Sequence, residues 1–364
     1  MKEIFYWLNE SKYTKPLSKA CKMCAQGSKM VVLITGLCPA NCFYCPLSLE
    51  KHNKDRIFAD EWELENENDI EKLISEAKYI NARGAGITGG DPLIVWDRTE
   101  KYIKILKENF GSRFHIHLYT SGLKNAKYIA RLEKAGLDEI RFHPEPRYWD
   151  KLEKSKIKNT IINSTKSSMD VALEIPVFPD KKEKIISLIS WADKNNLDFI
   201  NLNELEFSES NADSLISKRY DVKDDISSAV KDSERIANEI LENFSKNDFK
   251  VGIHYCSSSF KDGIQLRNRI KRRAKNIKKF HETISEDGTI IIGIIENQDN
   301  IYELYKNLKQ KYKLRDKIFF NKEKNRIETT KKIIKRIAKK EKLNCYIVEE
   351  YPTADRLEVE RIPL

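Results

Sequence analysis

Cys38, Cys42 and Cys45 stand within eight residues of one another in the run TGLCPANCFYCPLS. Three thiolates so placed can grip three irons of a [4Fe–4S] cube and leave the fourth iron without a protein ligand. An open iron is a place where a small molecule can bind and react. The plainer chemistry is a structural zinc loop, but zinc usually takes paired C-x2-C knuckles, and no fourth ligand is evident beside this run. A second set of soft ligands comes from two distant segments. Cys21 and Cys24 form a C-x2-C knuckle in SKACKMCAQ, and His254 and Cys256 lie in HYCSSS. Two plus two such ligands suit tetrahedral zinc, and the same residues suit an auxiliary iron–sulfur cluster. Cys345 is isolated and flanked by apolar residues, so it reads as core.

The elements that must position these groups alternate. Strand-like runs at 30–35, 84–90, 113–120, 137–143, 169–178, 197–203 and 249–255 are separated by helix-period segments, among them DIEKLISEAKYINA, TEKYIKILKENF and KEKIISLISWADKNN. Such alternation makes a parallel sheet with crossover helices. From about Lys279 the pattern changes. FHETISEDGTIIIGIIE reads as a hairpin turning on Asp287-Gly288, followed by two helices and two strands. The organisation expected is an N-terminal segment (1–29) with the C-x2-C knuckle, a partial barrel (30–278) and a basic α+β module (279–364).

Polar residues gather where strands of this kind end. Asn203, Glu204 and Glu206 follow the run LDFINLN and stand where barrel proteins keep their ligands, either for substrate or for a Lys or Arg across the mouth. His143 and Glu145 sit near another strand end in RFHPEP. The stretch 261–279 is a basic helix whose Arg267, Arg269, Arg272 and Arg273 could meet phosphate oxygens, and Arg267 is counted among the substrate candidates. The charge is uneven. Residues 261–345 carry 25 Lys+Arg against 11 Asp+Glu, while the rest of the chain carries 41 against 45. A basic segment on a mildly acidic body points to an anionic partner such as RNA, or to a solvated surface. No run of 18 apolar residues occurs, and MKEIFYWLNESKY lacks the apolar core of a signal peptide, so a cytoplasmic protein without membrane contact is expected.

The cluster spacing, with Tyr44 before the last cysteine, resembles the cluster loop of the radical S-adenosylmethionine (SAM) superfamily. The segment ITGGDP (Thr88, Gly89, Gly90, Asp91, Pro92) resembles that family's Gly-Gly-Glu-Pro strand end, with Asp where Glu is usual. The resemblance covers about residues 30–255 and implies a partial (β/α)6-type TIM barrel. In that family the open iron chelates SAM, and one electron cleaves it to methionine and a 5'-deoxyadenosyl radical that takes hydrogen from substrate. Carried over residue by residue, Cys38, Cys42 and Cys45 would hold the [4Fe–4S] cluster. Gly89, Gly90 and Asp91 would hold the SAM amino group, with Tyr44 near the adenine. Thr120 and Glu174 are further SAM candidates. No catalytic residue beyond the cluster is assigned.

The compact core most resembles pyruvate formate-lyase activating enzymes, which place a glycyl radical on a partner protein. That implies a one-electron donor of the flavodoxin or ferredoxin kind and a protein substrate. The basic C-terminal module keeps a tRNA-modifying enzyme open as an alternative, and a non-catalytic metal protein that binds RNA or protein as another.

Overall fold

The computed structural model describes residues 2–296 and 298–364. Seven parallel strands form the centre of one sheet: β1 (Lys29–Thr35), β2 (Gly84–Gly89), β3 (His115–Thr120), β4 (Glu139–Phe142), β5 (Asp170–Val177), β6 (Phe199–Glu204) and β7 (Gly252–Cys256). They lie side by side in chain order. Helices Ile70–Tyr79, Trp96–Phe110, Ile129–Ala135, Lys158–Ser164, Lys182–Lys194 and Ser233–Ser245 fill the six crossovers. Sequential order with a helix in every crossover, and a second short one (Ala212–Ser217) in the last, is the winding of a barrel, as expected for the (β/α)6 type, here with a seventh strand.

The strand sequences explain the two faces. In β3, Ile116 and Leu118 alternate with His115, His117 and Tyr119; in β4, Ile140 and Phe142 alternate with Glu139 and Arg141. Successive side chains on a strand point to opposite faces. The apolar set is fully buried and the polar set shares its parity with the residues that line the cavity described below. The lumen of this barrel is therefore polar, and its helix-facing layer carries the hydrophobic core.

The N-terminal segment is not a separate part. A two-residue strand, Lys12–Tyr13, pairs antiparallel with β7 and with Phe5–Tyr6, extending the sheet at one edge. Two short strands, Ile57–Ala59 and Trp62–Leu64, extend the other edge beyond β1. Helix α1 (Lys19–Ala25), capped by the Ser18 hydroxyl accepting from the Ala20 amide, carries the C-x2-C knuckle and packs on β1, β2 and β3. Residues 2–78 and 82–266 make this unit.

The second unit comprises Tyr79–Asn81 and Arg267–Leu364, so the division falls at Leu266/Arg267, not at 278/279. It is an antiparallel sheet. The Asp287-Gly288 turn joins β8 (Thr283–Ile284) to β9 (Ile290–Ile295), with Gly288 at φ 96°. Strands β10 (Ile318–Asn321), β11 (Arg326–Thr329), β12 (Cys345–Glu350) and β13 (Glu358–Pro363) complete it. The β10–β11 hairpin was not legible as strands, because FFNKEKNRIE shows no clean alternation. Helices Ile301–Lys311 and Lys331–Ala338 belong to the same unit, and Cys345 sits in its apolar core.

Candidate active site

A cavity of about 450 Å³ opens where β1 to β6 end. Cys38, Cys42, Tyr44 and Cys45 line it on one side; Thr88, Gly89, Gly90, Tyr119, Thr120 and Ser121 line it from the strand ends; His143, Glu174, Asn203, Glu204, Glu206 and Lys261 complete it. The sequence-predicted cluster residues, most of the SAM candidates and the acidic substrate candidates thus come together in one place. Burial pushes the Cys38 thiol up to about 12 and raises Cys42 as well. Both are thiols until a metal takes their protons, so loading this loop releases protons.

The two glycines of ITGGDP are required by the fold as much as by any ligand. A Cβ on Gly90 would lie 2.2 Å from the Leu37 carbonyl oxygen, and one on Gly89, at φ 129°, would lie 2.1 Å from that of Thr35. The Gly90 and Asp91 amides donate to those same carbonyls, each at 2.8 Å. The glycines let the end of β2 clasp the first leg of the cysteine loop.

Asp91 corrects the sequence reading. Its side chain is buried and does not line the cavity. One carboxylate oxygen accepts from Thr120 Oγ1 at 2.8 Å and the Leu93 amide at 3.0 Å; the other accepts from Ser121 Oγ at 2.5 Å and the Ser121 amide at 3.1 Å. With one side-chain carbon fewer than Glu, it reaches the neighbouring strand end and fixes it. Asp91 is a positioning residue for Thr120 and Ser121, which do face the cavity.

Glu174 lines the cavity and is also paired. Arg141 donates to one oxygen at 2.8 Å, and the amides of Asn201 and Asn203 donate to the other at 2.8 and 2.7 Å. Arg141 in turn donates to Glu139 at 2.6 Å, and Ser18 also donates to Glu139 at 2.6 Å. Arg141, Glu139 and Asn201 were missed; the signal was their place on the polar face of three strands. Tyr44 lies 2.9 Å from His143 Nε2 through its hydroxyl, with Phe43 and Phe178 against its ring. Glu206 is ion-paired with Lys261, and Glu204 accepts from the Ser258 amide at 2.8 Å. Those acids therefore answer partners across the mouth while keeping surface in the cavity.

Arg267 is a second correction. It lies in the C-terminal unit, where it pairs with Asp287 at 3.3 Å and donates to the Glu286 carbonyl at 3.0 Å. Arg273 is buried and donates to the Pro352 carbonyl. The basic helix Arg267–Ile277 therefore spends at least these two guanidinium groups inside its own unit. Cys21, Cys24, His254 and Cys256 show the same open spacing as Cys38, Cys42 and Cys45. Among the described residues, the groups of three ligands with atoms within 4.8 Å of one another are His115–Glu139–Asp170 and His281–Glu282–Glu328, and neither contains a cysteine. Ligands of one tetrahedral zinc lie roughly 3.3–3.8 Å apart. No helix among the described residues is long and apolar enough to cross a membrane.

A cysteine loop clasped to a Gly-Gly strand end at the mouth of a half-barrel suits a cluster with one open iron, and the sequence comparisons agree. Residues 32–192 match the Radical SAM superfamily, and the chain belongs to that superfamily. A protein of Methanocaldococcus jannaschii, whose name assigns it provisionally to glycyl-radical enzyme activation, is 40% identical over 96% of this chain and 93% of its own length. A protein of Methanococcus maripaludis, provisionally named a GTP 3',8-cyclase, is 27% identical over 41% of this chain and 46% of its own. Residues 288–364 match a domain of unknown function, DUF8061. Among solved structures, SuiB of Streptococcus suis bound to its precursor peptide SuiA is 13% identical with a TM-score of 0.46, spanning 74% of this chain and 61% of that one. The protein is a radical SAM enzyme whose cofactors are a [4Fe–4S] cluster and SAM.

Proposed function

We propose that this enzyme activates a partner protein by abstracting hydrogen from one of its glycyl residues. The observation that carries the reading is the relative named for glycyl-radical enzyme activation, which aligns with nearly the whole chain, including the C-terminal unit. The cavity is compatible with a peptide. Asn203, Glu204 and the Glu206–Lys261 pair line the same cavity as the cysteine loop, where they can meet the amides of an inserted loop.

When bound, the cluster and SAM supply the primary radical. The chain's own residues do the rest. Tyr44, Gly89, Gly90, Thr120 and Glu174 are the SAM-contacting set, and Asp91 holds Thr120 and Ser121 in place behind them. The apolar wall of Leu33, Leu47 and Pro176 keeps water from the reacting centre. A reduced flavodoxin- or ferredoxin-like protein delivers the electron. The RNA alternative rests on the excess of Lys and Arg over residues 261–345, of which Arg267 and Arg273 spend contacts within their own unit.

The deciding experiment incubates anaerobically reduced enzyme with SAM and a candidate glycyl-radical enzyme deuterated at glycine Cα. Deuterium should appear in 5'-deoxyadenosine, together with a glycyl-radical signal by electron paramagnetic resonance. Abundant unlabelled 5'-deoxyadenosine without a protein radical, across the candidates of the source genome, would overturn the activase reading while leaving the enzyme class intact.

A further inference from the structure

The soft ligands outside the cysteine loop meet inside the barrel. Cys21 and Cys24 lie about one turn apart on α1, so their thiols leave one side of the helix. His254 and Cys256 lie two residues apart on β7, on one face of the strand. Asn201 is the register partner of His254 and ties the two segments together. Its Oδ1 lies 2.5 Å from His254 Nδ1 and 3.9 Å from Cys21 Sγ, so Cys21 Sγ stands at most 6.4 Å from the near nitrogen of the His254 ring. Helix α1 also contacts the turn Lys261–Leu266, from which Gln265 Nε2 lies 3.4 Å from Cys256 Sγ.

The hydrogen bonds fix the state of the histidine. The Asn201 amide nitrogen donates to Glu174 at 2.8 Å, so its oxygen is the group that faces His254. His254 therefore carries its proton on Nδ1. Nε2 keeps a lone pair, buried and without a hydrogen-bond partner. A ring held through one nitrogen with the other bare is the arrangement of a metal-binding imidazole. Arg141 lies 3.4 Å from Cys21 Sγ and can donate to a metal-bound thiolate there.

The spacing argues for the kind of centre. These ligands are not drawn within 4.8 Å of one another as a single zinc would need, and neither are the three cysteines of the SAM loop. Ligands to separate irons of one cluster stand wider. We propose that Cys21, Cys24 and Cys256, with His254 Nε2 as fourth ligand, hold an auxiliary iron–sulfur cluster inside the barrel beside the Glu174–Asn201 wall of the cavity. Each thiol gives up its proton as its iron–sulfur bond forms, and a cube assembled from two ferric and two ferrous ions with four sulfides needs no further oxidant.

The test begins with the triple variant Cys38→Ala, Cys42→Ala, Cys45→Ala, purified anaerobically and reconstituted with equal ferric and ferrous iron and sulfide. It should keep about four irons with matching sulfide, and adding Cys21→Ala and Cys24→Ala should remove them. In the otherwise native chain, Cys256→Ser should lower iron from about eight per chain to about four. His254→Ala should keep the iron and shift the signal of the reduced auxiliary cluster. A triple variant with native circular dichroism that holds zinc alone, or no metal, would overturn the proposal. So would a native chain that binds about four irons and loses none with Cys256→Ser.

Discussion

Each unit of this protein buries an arginine between two glutamates, and the two arrangements have different consequences. In the barrel, Arg141 joins Glu139 and Glu174 at 2.6 and 2.8 Å. In the C-terminal sheet, Arg326 joins Glu328 and Glu350, both at 2.8 Å. There Lys279 and His281 also reach Glu328, Lys324 and Arg356 reach Glu350, and Arg356 also pairs with Glu282. The second network also leaves one ring nitrogen, His281 Nδ1, without a partner. The first has one carboxylate, Glu174, on a cavity wall, and beside it His117 and His254 hold ring nitrogens that meet no partner. Buried charge and a bare ring nitrogen occur in both units; what sets the first apart is a carboxylate on the wall of the cavity that the cysteine loop also lines.

The sharpest way to break this contrast is to remove each arginine. Arg141→Met and Arg326→Met should each destabilise their own unit by about 3–5 kcal/mol, because each leaves carboxylates buried without a partner. Hydrogen exchange resolves the two units. Only the Arg141 variant should lose SAM binding at temperatures where both remain folded, and equal losses would dissolve the distinction.

Glycines give the next contrast. A Cβ at Gly90 meets the Leu37 carbonyl at 2.2 Å, and one at Gly293 meets Ile334 Cγ2 at 2.3 Å. Both alanine variants overpack, at about 1–3 kcal/mol. Backbone cannot step aside as a side chain can, so Gly90→Ala should spread the cysteine loop and lower its iron content, while Gly293→Ala should leave iron unchanged. Smaller again is Glu174→Gln. It keeps the amide contacts but weakens a charged hydrogen bond, costing about 1.5–3 kcal/mol, and should weaken SAM binding where Glu328→Gln does not.

How much of this could be read in the chain depends on the range of the interactions. The cysteine loop and the β2 strand end are local, so spacing alone pointed to them. Strand–helix alternation gave the winding order for the same reason. The role of Asp91 was hidden because its partners lie on the next strand, and one methylene decides which it reaches. The polar lumen was legible in principle: HIH in β3, EIR in β4 and HYC in β7 place polar residues at every second position. Those strands look apolar throughout when read as runs, and polar on one face when read by parity. The pairing of Arg267 with Asp287 depends on a hairpin folding back on the basic helix, which no short pattern shows.

Acid provides the finest comparison. Burial holds His115 down to about 4 and His117 well below its ordinary value, with the Lys29 charge as the next cause. Both are neutral in the folded barrel where the unfolded chain is protonated. Their contribution is fully present above about pH 6.5 and is lost as pH falls from there towards their folded values. Asp170, raised to about 6 by burial and by Asp198, pulls the other way, one group against two. In the C-terminal unit, burial works against ionised Glu328, but His281, Arg326 and Asn321 outweigh it and hold its pKa well below 4.5. Its contribution is intact above that value and is lost only as pH falls below it. Between pH 7.5 and 5.5, amide protection along β3 should therefore fall by up to about 1.4 kcal/mol per pH unit per histidine, while protection along β12 holds. Substituting His115 and His117 together by Gln should reduce the barrel's response, leaving the part that His143 and His254, also held down by burial, contribute. If β3 and β12 lose protection in step, the neutral histidines are not what separates the two units.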